Sequence, residues 1–321
     1  MEGITITKRP RLRSPYLICA WPGMGDVAFK AASYLVEKLK AEEFAEIAPE
    51  RFFYLTASMV KDGVLGIPQL PASKFYYWRN KAGKNDLIIF ISNAQPDLTK
   101  AEEYFQLIIQ CARLWQVSKM VGFAAMPQPI DHTQTPGVFF AATSEAERNE
   151  LKRYNLILLA DGQISGMNGL FLGIARREGF EGFCLLGETP LYTVQIENPK
   201  ASFAVLEAFC RILPLSLDLS GLIDQGQVIE NEINKLFDYM KMGTPEGPIG
   251  EEEIERIKKS LSQLTRLPAS VKEKIGRLFK EATLDIKRAA ELKTELDKWN
   301  VYKEYEDEFL DLFKKRKDTG N

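Results

Sequence analysis

Two glycine-bearing turns in this chain have the residue types that receive anions or polar ligand groups. Trp21-Pro22-Gly23-Met24-Gly25-Asp26-Val27-Ala28 follows the apolar run Tyr16–Ala20, and Asp161-Gly162-Gln163-Ile164-Ser165-Gly166-Met167-Asn168-Gly169 follows Leu156–Ala160. Glycine between a strand and a helix lets the backbone turn sharply and aims N–H groups outward at the helix start, where phosphates and polar groups settle. Gly23, Gly25 and Asp26 in the first turn, and Ser165, Gly166 and Asn168 in the second, are therefore candidate ligand contacts. Glu188 and Thr189 join them. They stand at the expected strand end in Leu185-Leu186-Gly187-Glu188-Thr189-Pro190, and strand ends in sheets covered on both faces collect ligands.

The chemistry these residues can do is narrow. Gly23-Met24-Gly25-Asp26-Val27-Ala28 has the G-x-G-x-x-A form of a dinucleotide turn, which also requires an acidic residue about twenty positions on, at the tip of a second strand. Glu42, Glu43 and Glu46 are near that distance but read as a helix end. Asp26 would repel a phosphate and is better placed as a helix N-cap. A catalytic Ser165 would need a base, and His132 is the sole histidine. It lies in the turn-rich segment Pro127–Pro136 beside Asp131, and adjacent residues seldom align as base and orienter. The expected role of Asp131 and His132 is to stabilise a surface turn. Four scattered cysteines and one histidine give no metal-ligand spacing, so no metal or cofactor is expected.

The elements that position these residues alternate. Apolar runs at Ile4–Ile6, Tyr16–Ala20, Phe52–Leu55, Phe75–Trp78, Leu87–Ile91, Met120–Ala124, Val138–Ala141, Leu156–Leu159 and Phe183–Leu186 predict strands. Several are continuous, as in strands buried on both faces. Helical spacing occupies Asp26–Lys40, Thr99–Trp115, Ser144–Arg153, Met167–Glu178 and Lys200–Ile212. Thr99 with Glu102 predicts a capping box, and Pro199 suits a first helical position. The pattern predicts an α/β domain over 1–215 and a charged helical hairpin or small bundle over 216–321. In the latter, stripes at Ile229–Met240, Ile254–Leu264 and Val271–Trp299 and a last helix from Tyr302 are separated by the loop Met242–Gly250 and by Leu267-Pro268.

Composition narrows the function classes. The chain has 321 residues, 45% hydrophobic and 27% charged, which suffices for a large core. A net charge of -2 gives no electrostatic attraction to nucleic acid or anionic membrane. No apolar run approaches the roughly 20 residues of a membrane span, and Met1–Pro15 lacks the apolar core of a signal peptide. The expectation is a cytoplasmic, reduced protein.

Trp21–Gly25, Gln163–Leu170 and a third glycine-bearing turn in Leu185-Leu186-Gly187-Glu188-Thr189-Pro190, with Asn198-Pro199-Lys200-Ala201-Ser202, also carry a likeness. Over residues 10–215 the chain resembles the proteasome assembly chaperone family, in the branch of archaeal and bacterial relatives of the second chaperone. The resemblance implies a three-layer α/β/α domain with a largely parallel or mixed sheet, similar to nucleoside phosphorylases, and homo-oligomers such as small rings or tetramers. It also implies a protein partner such as a proteasome subunit. The family's proteasome-binding members end in a hydrophobic–Tyr–any tripeptide, whereas this sequence ends Asp318-Thr319-Gly320-Asn321, so docking by that tripeptide is not expected. Two functions remain open. One is a non-enzymatic, self-associating assembly protein. The other is a small-molecule binder or enzyme, for a nucleotide or carboxylate, using a polar pocket at the glycine turns.

Overall fold

A computed structural model describes residues 3–55, 58–242, 250, 252, 254–258, 269–299, 301–302 and 305–314. The expected loop 243–249, the residues Leu261, Leu264, Leu267 and Pro268, and the C-terminal tail lie outside them.

Among the described residues nine strands form one mixed sheet in the order β1-β3-β6-β7-β2-β8-β11-β9-β10. These are β1 (Ile4–Ile6), β2 (Tyr16–Ala20), β3 (Glu42–Ile47), β6 (Ser73–Trp78), β7 (Leu87–Ser92), β8 (Lys119–Gln128), β9 (Val138–Ala142), β10 (Ile157–Leu158) and β11 (Gly182–Pro190). A separate hairpin joins β4 (Val60–Lys61) and β5 (Val64–Leu65). The central strands β7, β2, β8 and β11 run parallel, with Leu17 beside Ile88 and Ile18 beside Val121. Leu17, Ile18, Cys19 and Ala20 are all fully buried, so β2 is covered on both faces, as its unbroken apolar run requires.

Two helical layers supply that cover. On one face α1 (Val27–Leu39) and α5 (Pro199–Ile212) bury Ala28, Ala31, Leu35, Val205 and Phe209 against Ile18, Ile89 and Phe123. On the other, α2 (Ala101–Leu114) and α4 (Met167–Arg177) bury Phe105, Ile108, Phe171 and Ile174 against Leu17, Cys19 and Phe90. Asn198 caps α5 by accepting from Ala201 N–H at 3.0 Å, with Pro199 in the first turn. Ser144 caps α3 (Glu145–Leu151).

Beyond this sandwich, α6 (Ser220–Met242) leans back onto it, with Leu222 in the α1–α5 core and the Tyr34 hydroxyl donating to Asp218 O at 2.9 Å. The helices α7 (Ala269–Leu284), α8 (Ala289–Lys298) and α9 (Glu306–Lys314) form their own cluster around Ile275, Leu278, Leu292, Leu296 and Trp299. Leu191, at the end of β11, inserts into that cluster.

Several expectations change. Glu42, Glu43 and Glu46 lie on β3, not at a helix end. A bulge between Glu43 and Ala45 buries Phe44 and Ala45 together and breaks the alternation that marks a strand. Glu42 pairs with Lys8, in the segment after β1, and Glu43 pairs with Lys74 of β6, each at 2.9 Å. Phe52–Leu55 is no strand; Phe52 closes a short 3-10 turn and packs its ring 5.0 Å from Tyr104. Asp97, not Thr99, caps the start of the α2 region by accepting from Thr99 N–H. The expected continuous helix Val271–Trp299 is broken at Asp285, whose carboxylate accepts from Lys287 N–H. The strand expected at Phe183–Leu186 runs on to Pro190, so Gly187 is an interior residue of β11 and not the turn that follows it. A Cβ there would meet Ala201 O of α5 at 2.7 Å, so the helix crosses the strand at a distance that only glycine permits. Gly187→Val is expected to lift α5 off the sheet and cost about 1–3 kcal/mol, read as a lower urea midpoint with an unchanged m value.

Candidate functional site

The two glycine turns meet. From β2 the chain leaves through α1 towards the β3–β6–β7 side; from β8 it leaves towards β9 and β11. The carboxyl ends of β2 and β8 therefore flank the place where the winding reverses, the crevice in which open α/β sheets bind ligands. A cleft of about 170 Å³ lies there. Gly23 and Met24 of the first turn, Gln163 to Gly166 and Asn168 of the second, and Ala124 to Pro127 of β8 line it, with Ala28, Gln95 and Leu186.

Asn168 is the joint between the turns. It is buried at the start of α4, accepts from Trp21 N–H at 3.0 Å and donates to Trp21 O at 3.0 Å. One amide side chain thus satisfies both backbone groups of a buried residue 147 positions away. The Trp21 ring is fully buried, with its centre 5.5 to 6.4 Å from those of Phe90, Tyr104, Phe105 and Phe171.

The first turn spends its amides internally. Gly23 N–H donates to Asp26 Oδ1 at 3.2 Å, Asp26 N–H to Gly23 O at 2.9 Å, and Gly25 N–H to Val194 O at 2.7 Å. Gly25 O accepts from Asn198 N–H at 2.8 Å. The Asp26 side chain makes no cap bond at the start of α1, contrary to expectation; it folds back on Gly23 instead. Gly25 sits at φ +57°, where a side chain is strained. The dinucleotide form therefore describes a self-satisfied turn. Its acidic partner is also missing from the required place, since β3 stands three strands from β2.

Ser165 and Gly166 are exposed on the rim. Glu188 and Thr189 do not line this cleft. Glu188 Oε2 accepts from Gly137 N–H at 2.7 Å and its own N–H donates to Gly137 O at 2.9 Å, pinning the start of β9. Thr189 is fully buried, and its hydroxyl donates to Gly187 O at 3.4 Å.

Asp131 holds the expected turn, its Oδ1 accepting from Thr133 N–H at 3.0 Å beside exposed Thr133 and Gln134, but His132 within it is buried. Its Nδ1 lies 2.8 Å from Tyr192 Oη and its Nε2 2.9 Å from Asn234 Oδ1, so its partners are not Ser165. It belongs to a clasp. Phe237 of α6 packs on the His132 and Tyr192 rings. Lys258 donates to Asp131 Oδ2 at 2.7 Å, and Lys200 spans His132 O, Thr133 O and Glu230. Burial alone would raise the Asp131 carboxyl. The Lys258 ammonium and the N–H and hydroxyl of Thr133 outweigh it and hold the group well below the ordinary carboxylate range. Burial, reinforced by the Asp131 charge, pushes the Tyr192 phenol up, against activation as a base. Sequence reasoning missed Tyr192, Asn234 and Lys258 because their spacing from Asp131 carries no local signal.

A mixed sheet between two helical layers, with a narrow uncharged cleft at its switch point and a helical clasp beyond it, defines an α/β/α protein with appended helices. The chain belongs to the PAC2 family, whose model matches residues 17–237, and this is the proteasome assembly chaperone relationship that the glycine motifs resemble. It is 28% identical over 255 residues to an uncharacterized protein of Methanocaldococcus jannaschii, covering 77% of this chain and 93% of that one. Among solved structures it is similar to Pyrococcus furiosus PbaB, an archaeal proteasome activator, at 27% identity and TM-score 0.62, over 73% of this chain and 97% of that one. Pyrococcus furiosus PbaA, an archaeal homolog of proteasome-assembly chaperone, shares the fold at 24% identity and TM-score 0.58, over 83% and 100% of the two chains. No helix among the described residues is long and apolar enough to cross a membrane.

Asn168→Ala leaves two buried backbone groups of Trp21 unpaired and is expected to cost about 2–4 kcal/mol, seen as a lowered denaturation midpoint. Asp131 has a depressed folded pKa, so its stabilising contribution is present above its unfolded value, about 3.9, and disappears as pH falls through the folded value. Asp131→Asn is therefore expected to be less stable than the parent at neutral pH and to flatten the acid limb of stability against pH.

Proposed function

We propose that this chain is a non-enzymatic, assembly-chaperone-like protein of the cytoplasm that associates with itself and offers a surface to protein partners. The observation that carries this reading is the β4–β5 hairpin and its flanks. Asp62 and Gly63 both have positive φ, 51° and 78°, as the tight two-residue turn of a hairpin requires, and Gly66 N–H closes on Met59 O at 2.8 Å. The hairpin carries Met59, Val60, Val64, Leu65 and Ile67 in the open, with Met59 81% and Ile67 88% exposed. A two-stranded hairpin is marginal alone, and contiguous exposed apolar residues mark an interaction site. Its chain enters the sheet at Ser73, opposite Ser92 at the carboxyl end of β7, the sheet end at which the glycine turns also lie.

The likeness to Pyrococcus furiosus PbaB, an archaeal proteasome activator, supports a proteasome assembly as the class of partner. In this reading the α/β body, 1–215, associates, while the helical unit, 216–321, adds a second protein surface held by the His132 clasp. The four cysteines are unpaired thiols, in keeping with a reducing compartment.

Sedimentation of the full chain at micromolar concentration tests the proposal. The parent is expected to run as an oligomer and the double variant Val64→Asp, Ile67→Lys as a smaller species. Thermal stability of the isolated subunit is expected to change by no more than about 0.5 kcal/mol, because both sites are exposed. A parent that sediments as a monomer and retains no protein partner overturns the proposal.

A further inference from the structure

The switch-point cleft has a size and lining that select one class of occupant. Its volume of about 170 Å³ is well below the roughly 300 Å³ at which pockets for drug-sized ligands begin. A nucleotide exceeds it, and the Gly23 and Gly25 amides that would grip a phosphate are engaged within the chain. None of the lining residues carries a charge, so a charged group entering would lose water without gaining a counter-ion.

What the lining offers is an apolar floor and an amide-and-hydroxyl rim. Ala124, Met126 and Leu186 form the floor from β8 and β11. Gln163 and Ser165 on the rim make no side-chain hydrogen bond among the described residues. Gln95 spends one amide hydrogen on Pro22 O at 2.8 Å, leaving its oxygen to accept. Donors and acceptors of this neutral kind complement peptide backbone, and the volume suits a single side chain. Met24 and Met126, unbranched and polarizable, adapt to such an occupant.

We infer that the cleft is an anchor site for an uncharged, extended segment of a protein partner, taking one apolar side chain while Gln95, Gln163 and Ser165 hydrogen-bond the segment's backbone. This rests on the reading of the chain as a protein binder and gives that reading a site. The exposed Met24 beside the cleft continues the contact outward, towards the sheet end where the apolar hairpin joins.

Methyl-labelled methionine NMR of the full chain, with N-acetyl-leucine amide as probe, tests the inference. Saturable shifts of Met24 and Met126 are expected at millimolar probe, with Met59 and Met120 unmoved. N-acetyl-leucine with its free carboxylate is expected to bind about tenfold more weakly or worse, since its charge finds no partner. Ser165→Trp, a change at an exposed rim position, is expected to abolish the response while leaving the melting temperature near that of the parent. Silent Met24 and Met126 up to the solubility limit of the probe overturn the inference. So does equal binding of the carboxylate, or a response that Ser165→Trp leaves intact. A chain that self-associates but shows silent methionines loses the cleft and keeps the assembly reading. A monomer without partners whose Met24 and Met126 respond loses the assembly reading and, leaving the cleft to a small neutral ligand, overturns the inference with it.

Discussion

The structure depends on a reciprocal pair of hydrogen bonds between the Asn168 side chain and the Trp21 peptide. Trp21 leaves the central strand β2 at the point where the chain must turn into α1, and a turn buried under aromatic rings cannot leave its N–H and C=O to water. A single amide answers both groups. It comes from the first turn of α4, so the bond also fixes how α4 lies across β2 and β8. The aromatic group around Trp21 then closes one face of the sheet, and the close crossing of α5 over Gly187 closes the other.

From that constraint the character of the cleft follows. With its glycine amides spent on Asp26 and Val194, the first turn retains the outline of an anion site without the donors. What remains at the switch point is a small uncharged opening between two turns held at fixed separation. Apart from Asp26, which is folded back on Gly23, the charged and titratable groups lie elsewhere. Glu188 serves the β9–β11 pairing, and Asp131, His132, Tyr192 and Lys258 serve the attachment of the C-terminal helices. These groups hold the chain together.

Much of the sheet was legible locally. The continuous runs of β2, β7, β8 and β11 announce two-sided burial, and Pro199 and Ser144 mark helix starts as written. Where the reading failed, the cause was non-local. The acidic residues of β3 look helical until Lys8, from the segment after β1, and Lys74 of β6 are brought beside them, and a bulge hides its alternation. The β4–β5 hairpin had a local signal in Asp62-Gly63, but its apolar residues alternate too briefly to stand out. Gly187 resembles a turn residue because glycine in sequence does not say whether it serves a bend or a close approach.

By itself the sequence determined the layered α/β plan, the two glycine turns, the appended helices and the family, because burial periodicity and short motifs are written in neighbouring residues. Only the tertiary structure decided which groups meet. It separated Glu188 and Thr189 from the cleft, gave His132 to Tyr192 and Asn234 instead of Ser165, and made Asn168 a clamp on Trp21. Such pairings join residues dozens to well over a hundred positions apart. Their energy comes from satisfying buried polar groups, a requirement that exists only once the chain has folded.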